Sequence, residues 1–171
     1  MSRDAMAFII TGACGVGKTA ILPFIKANLP QFNIHDFDEV GVPSYPSRKW
    51  RKETTKRWVD LSVVNLKSKI PTIILGVIVP QDVAEFVPKD LAKKFRFLLL
   101  AVSLEERERR FKCRNEQRET ILKERINFDN LRSWLETSSF QYEVLDTTHL
   151  KIEETAGWVV DWIKSEWERG L

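Results

Sequence analysis

The stretch Ala7–Thr19, AFIITGACGVGKT, constrains this chain more than any other. The apolar run Met6–Thr11 reads as a strand buried on both faces. A glycine-bearing turn follows it, and then the start of a helix. Gly12, Gly17, Lys18 and Thr19 fit G-x-x-x-x-G-K-[ST], with Ala13, Cys14, Gly15 and Val16 filling the loop. A triphosphate carries several negative charges and needs donors that approach it without a side chain in the way. Glycines permit that approach. The N–H groups of the loop and of the helix N-terminus then face the phosphates. Lys18 adds a mobile positive charge, and the Thr19 hydroxyl can ligate Mg²⁺. Cys14 reads as a small residue that fits the loop; a thiolate so near a helix N-terminus would be sensitive to oxidation.

The remaining elements alternate between strand and helix. A helix is expected from about Gly17 to Asn28, kinked or irregular near Pro23. Phe32–Phe37, Thr72–Val79, Phe95–Val102 and Gln141–Leu145 read as further strands. Helices are expected over Ser47–Lys69, 103–114, about Glu119–Thr137 and Ile152–Glu168, with short helical pieces around Pro88. Ser47 is a candidate cap, and Ser103 with Glu106 a candidate capping box. In the last helix Trp158, Val159, Trp162 and Ile163 are expected in the core. Five strands alternating with helices imply a parallel α/β sheet in one domain over 1–171, with function outside the carboxyl ends of the strands.

Several candidate groups should meet there. Asp36 and Asp38 form a D-x-D, and strand alternation would put both carboxylates on one face. Such a pair is costly unless a cation or a ligand donor answers it; turn chemistry is the other reading. Asp38 to Gly41 also fits the D-x-x-G of GTPases, but no N-K-x-D follows. The third strand ends in Gly76, not in an acid, so a metal ligand or catalytic carboxylate must come from elsewhere. Gly76 could admit a ligand close to the strand end. The first half of the second helix carries Arg48, Lys49, Arg51, Lys52, Lys56 and Arg57 against Glu53 alone. It is either a solvated face over core tryptophans or part of a pocket for an anionic or aromatic acceptor. On the second reading Arg51 and Trp58 become candidate substrate contacts. Arg110, Arg114 and Arg118 follow the fourth strand, and arginines near a γ-phosphate stabilise the charge that spreads over it in transfer. These features together make a phosphoryl-transfer constellation.

GACGVGKT, DFD at Asp36–Asp38, RFKCR at Arg110–Arg114 and LDTT before the last helix resemble the small P-loop kinases. That family includes adenylate kinase-like nucleotide kinases, shikimate kinase, gluconate kinase and chloramphenicol phosphotransferase. The resemblance covers essentially the whole chain. It implies the three-layer P-loop NTPase fold with a five-stranded sheet in order 2-3-1-4-5 and helices on both faces. It implies a moving acceptor-binding region at about Val42–Lys69 and a short arginine-bearing LID at about Arg114–Thr120. It implies that Lys18 and Arg114 act on the transferring group and that Asp36 holds or deprotonates the acceptor hydroxyl. Asp38 would lie nearer Mg²⁺ with Thr19. Arg110 and Arg114 would lie near the phosphates and adenine of ATP, and Asp146–Leu150, with Thr148, beside the base. The D-G-[FY]-P-R of nucleotide kinases is replaced by GVIVP, which removes an acceptor-phosphate contact.

The expectation is therefore an ATP- and Mg²⁺-dependent kinase of a small hydroxyl-bearing molecule. Alternatives are a nucleoside or nucleotide kinase with Trp50 or Trp58 stacked on the base, a 5′-hydroxyl polynucleotide kinase, and a nucleotide-dependent binding protein. A net charge of +3 does not by itself argue for nucleic acid or a membrane surface. Two distant cysteines suggest a reducing compartment, with the cytoplasm the expected location. A monomer or a homodimer is expected.

Overall fold

The computed structural model describes residues 4–113 and 130–170. The expected LID at 114–120, with Arg114 and Arg118, lies outside the described residues, as does the first part of the helix expected from Glu119. The strands are β1 (Ala7–Thr11), β2 (Asn33–Asp36), β3 (Thr72–Gly76), β4 (Phe95–Ala101) and β5 (Gln141–Asp146). All pair in parallel, in the order β2-β3-β1-β4-β5. The helices are α1 (Lys18–Asn28), α2 (Arg48–Lys67), α3 (Pro80–Phe86), α4 (Leu104–Cys113), α5 (130–136) and α6 (Ile152–Arg169).

Strand alternation divides the core. Phe8 and Ile10 of β1 turn to one face, with Ile73, Leu75, Leu98 and Leu100, against Ile21 and Ile25 of α1 and Val159 and Ile163 of α6. Ala7 and Ile9 turn to the other, with Ile74, Phe97 and Leu99, against Trp58 and Val59 of α2, Val83 of α3 and Leu131 and Leu135 of α5. Each large side chain so buried contributes about 1.5–3 kcal/mol relative to exposure. A sheet apolar on both faces is why the strands read as continuous apolar runs rather than alternating ones.

Helix α1 runs through Pro23 to Asn28 as one element. In α6, Trp162 is buried but Trp158 is 37% exposed, contrary to expectation. The buried stripe follows Thr155, Val159, Trp162, Ile163 and Glu166, and Trp158 sits at its flank. Ser47 caps α2, accepting the Trp50 N–H at 3.1 Å. The expected second strand is shorter than its sequence pattern: it ends at Asp36, and Phe37–Val40 close a 3₁₀ turn.

Candidate active site

The loop after β1 has the geometry of a phosphate cradle. A Cβ at Gly12 would stand 2.7 Å from the Leu100 carbonyl oxygen and 2.9 Å from Val16. Gly15 has φ +84°, and a Cβ there would meet the Phe111 ring at 3.2 Å. Gly17 caps α1 in the left-handed conformation, φ 104°, which favours glycine. Among the described residues no side chain caps α1, and no acid lies in its first turn. The positive end of its dipole is therefore left for a ligand anion. Lys18 turns back over the loop: its Nζ donates to the carbonyls of Gly12 and of Ala13, the latter at 2.8 Å. Thr19 is exposed in the first turn of α1, and Cys14 is exposed at the loop tip. The ends of β1 and β3 are tied by Thr11, whose Oγ1 donates to the Ile78 carbonyl and accepts the Ile78 N–H, each at 3.0 Å.

A cleft of about 630 Å³ opens beside the loop, lined by Gly15, Gly17, Ala20, Arg109, Arg110 and the turn Thr147–Leu150. Arg110 spans it. Its guanidinium donates to the Gly15 carbonyl at 3.3 Å, the Thr147 carbonyl at 3.2 Å and Glu106 Oε1 at 2.9 Å. Glu106 also takes a bidentate pair from Arg109, both bonds at 2.7 Å. Hydrogen bonds from Arg109 and then Arg110 hold the Glu106 carboxyl down at about 2. The expected capping box forms by half. Ser103 Oγ accepts the Glu106 N–H at 3.2 Å, but the Glu106 carboxylate goes to the two arginines. The Ser103 N–H goes instead to Thr148 Oγ1 at 2.8 Å.

Thr148, expected beside the base, lines this cleft, and its hydroxyl is already engaged. It donates to Asp146 Oδ1 while accepting from Ser103. Those bonds, first the hydroxyl and then the Thr148 N–H, hold the Asp146 carboxyl below its ordinary value. The loop after β4 is thus fastened to the loop after β5, and what faces a ligand there is backbone and the neighbouring side chains. Glu106 and Ser103 were not singled out as site residues. A capping box signals a helix start and says nothing of what packs across it.

At the carboxyl end of β2 the two acids do not share a strand face. Asp36 closes the strand and caps the 3₁₀ turn: its Oδ1 accepts the Asp38 N–H at 2.8 Å, while Glu39 Oε2 accepts the Asp36 N–H at 3.1 Å. Asp38 stands on the turn. Its carboxyl is raised above the ordinary value, first by loss of water and then by the charge of Asp36; Arg51 and Lys18 pull it the other way. Asp38 thus feels the charges of both the loop lysine and α2.

Gly76 has a different use from the expected one. A Cβ there would lie 2.2 Å from Phe37 Cβ, so Phe37, not a ligand, takes the space. Trp58 is 6% exposed and belongs to the core; its indole N–H donates to the Phe37 carbonyl at 3.1 Å. Both residues hold the turn that carries Asp38. The basic start of α2 is largely answered within the protein. Arg48 forms a bidentate pair with buried Asp82, Lys52 pairs with Glu85, Lys56 with Asp60 and Lys49 with Glu53. Arg51 instead lies against the Trp50 ring, 5.9 Å from its centroid, and toward Asp38.

Thr19 and the glycine-capped end of α1 fit a Mg²⁺–nucleotide. Among the described residues no three His, Cys, Asp or Glu side chains gather into a metal site of their own.

The sequence matches no family model and no curated protein. Solved structures do match over nearly the whole chain. An unliganded sugar kinase from Janibacter sp. HTCC2649 is 16% identical with a TM-score of 0.65, covering 94% of this chain and 95% of that one. A shikimate kinase from Acinetobacter baumannii in complex with shikimate is 15% identical, TM-score 0.63, covering 96% of each chain. An APS kinase from Mycobacterium tuberculosis in complex with AMPPNP and APS is 17% identical, TM-score 0.60, covering 95% of this chain and 99% of that one. The chain has the fold of the small P-loop kinases, with the sheet order 2-3-1-4-5.

Proposed function

We propose that this protein transfers the γ-phosphoryl group of ATP to a hydroxyl of a small molecule. The observation that carries the reading is the phosphate loop Gly12–Thr19 in a small P-loop kinase fold, with the carboxylates of Asp36 and Asp38 on the turn that follows β2. An acceptor hydroxyl needs such a carboxylate to orient it and take its proton. The nucleotide's phosphates would lie on the N–H groups of Gly12–Thr19, and its base in the cleft beside Arg110 and Thr147–Leu150. Lys18 would leave the Gly12 and Ala13 carbonyls for the β- and γ-phosphates.

Asp38, rather than Asp36, is our choice for the group that orients the acceptor hydroxyl and takes its proton. Asp36 spends an oxygen on building the turn. A carboxylate that takes the acceptor's proton is not also a direct ligand of the ion, so Thr19 would be the residue that holds Mg²⁺. When bound, Mg²⁺ neutralises charge on the phosphate oxygens. Arg51 and Trp50 would meet the rest of the acceptor, which suits an acceptor with an anionic group or a planar ring. Arg114 and Arg118 remain candidates for the transferring phosphate and the acceptor.

The half-buried Trp50, edge-on to Phe37 at 6.1 Å, favours a nucleoside as the second reading. The pairing of Arg48, Lys49, Lys52 and Lys56 with acids argues against a polynucleotide track. The test is an ADP-release screen with ATP–Mg²⁺ against sugars, sugar acids, nucleosides, nucleotides, antibiotics and oligonucleotides. Acceptor-dependent ADP from one class supports the proposal. Tight ATP binding with no acceptor-dependent ADP would overturn it in favour of a binding protein.

A further inference from the structure

His35 stands one residue before the Asp36–Asp38 turn and has no part in the chemistry above. Its surroundings are more specific than a surface histidine needs. The ring lies on the Trp58 indole of α2, centroids 4.8 Å apart at 33°. Nε2 faces Asn33 Oδ1 at 2.7 Å, and that oxygen also accepts the Asn65 side-chain N–H from α2 at 2.9 Å. Nδ1 faces Glu39 Oε1. Both ring nitrogens thus lie at hydrogen-bond distance from oxygens, and a proton on Nδ1 is donated to Glu39.

Glu39 passes the constraint on. Its second oxygen accepts the Asp36 N–H at 3.1 Å, and Asp36 Oδ1 accepts the Asp38 N–H at 2.8 Å. A hydrogen-bonded chain therefore runs from Asn65 and Asn33 through His35 and Glu39 to the backbone that carries Asp38. Without a donor at Nδ1, the Asp36 N–H is the one hydrogen bond that holds the Glu39 carboxylate among the described residues. The turn is then free to shift by a fraction of an ångström, and placement on that scale governs transfer.

We infer that His35 is a positioning residue, which through Glu39 fixes the turn presenting Asp38 to the phosphate loop. The inference rests on the kinase reading for its catalytic consequence and not for its structural one. His35→Phe keeps a ring on Trp58 and removes both ring nitrogens. We expect kcat to fall about tenfold with the KM for ATP unchanged. Glu39→Gln should do the same, and the double variant should be no worse than either single one, because both break one chain. Independently of turnover, amide hydrogen exchange at Asp38 should quicken at least tenfold in His35→Phe and in Glu39→Gln. Wild-type exchange at Asp38 in both variants would overturn the inference, as would additive losses of kcat. Absence of turnover by the wild type with every acceptor would instead overturn the kinase reading, and the exchange rates would still decide the role of His35.

Discussion

Gly76→Ala is a one-methyl change that tests how the site is built. The new Cβ would lie 2.2 Å from Phe37 Cβ and 2.9 Å from its Cγ. Carbon atoms in contact sit about 3.5–4.0 Å apart, so Phe37 and β3 must separate by roughly 1.3 Å or more. Little can give way. Phe37 is 1% exposed, and its carbonyl is tied to the Trp58 indole. Overpacking of this kind costs about 3 kcal/mol. With a urea m-value of about 2 kcal/mol/M, the unfolding midpoint should fall by about 1.5 M. The movement falls on the residue between Asp36 and Asp38, so the folded variant should also lose turnover. A displacement of about 1 Å corresponds to roughly a hundredfold in kcat. Urea unfolding followed by tryptophan fluorescence, together with an ADP-release assay, measures both. A variant with an unchanged midpoint and turnover within twofold would refute the role given to Gly76.

Asp38→Asn should remove transfer while leaving ATP affinity within a few-fold. Asp36→Asn keeps a capping oxygen and should retain stability and most of its turnover, whereas Asp36→Ala should lose about 1 kcal/mol; loss of transfer in Asp36→Asn but not Asp38→Asn would reverse the two roles. Arg48→Ala leaves the Asp82 carboxylate buried without its partner and should cost about 2 kcal/mol, but Asp82→Ala leaves a mostly exposed arginine and should cost less; paired denaturation curves compare them. Glu106, lowered from 4.5 to about 2, contributes stability that is fully present above pH 4.5 and is lost as pH falls toward 2. Glu106→Gln should flatten the pH dependence of the unfolding midpoint across that window, and an unchanged slope would refute the pairing with Arg109 and Arg110.

Much of the architecture was legible because its signals are local. A buried parallel strand is an apolar run, and a phosphate loop is a fixed spacing of glycine, lysine and threonine. The sheet order came from family resemblance, since no local signal encodes which strands neighbour each other. The site was legible only as a set of residue types. Asp36 and Asp38 were expected on one strand face, but the strand stops at Asp36 because its carboxylate and Glu39 satisfy the backbone of a turn. Gly76 and Trp58 read as ligand-facing, yet both serve Phe37, a contact across 39 and 21 residues that no periodicity reports. Thr148 was expected beside a base from its position, but its hydroxyl is spent on Ser103, 45 residues away. The cations of α2 looked like an anion site because the acids that answer Arg48 and Lys52, Asp82 and Glu85, come from α3.

Following the γ-phosphoryl group itself is the most direct test of phosphoryl transfer. The protein is incubated with Mg²⁺, γ-labelled ATP and the hydroxyl-bearing panel, and the label is traced. The label should move from ATP to one class of acceptor, at a rate that Lys18→Ala and Asp38→Asn each abolish. Label that stays on ATP, or passes only to water, across the whole panel while the nucleotide remains bound would contradict a kinase.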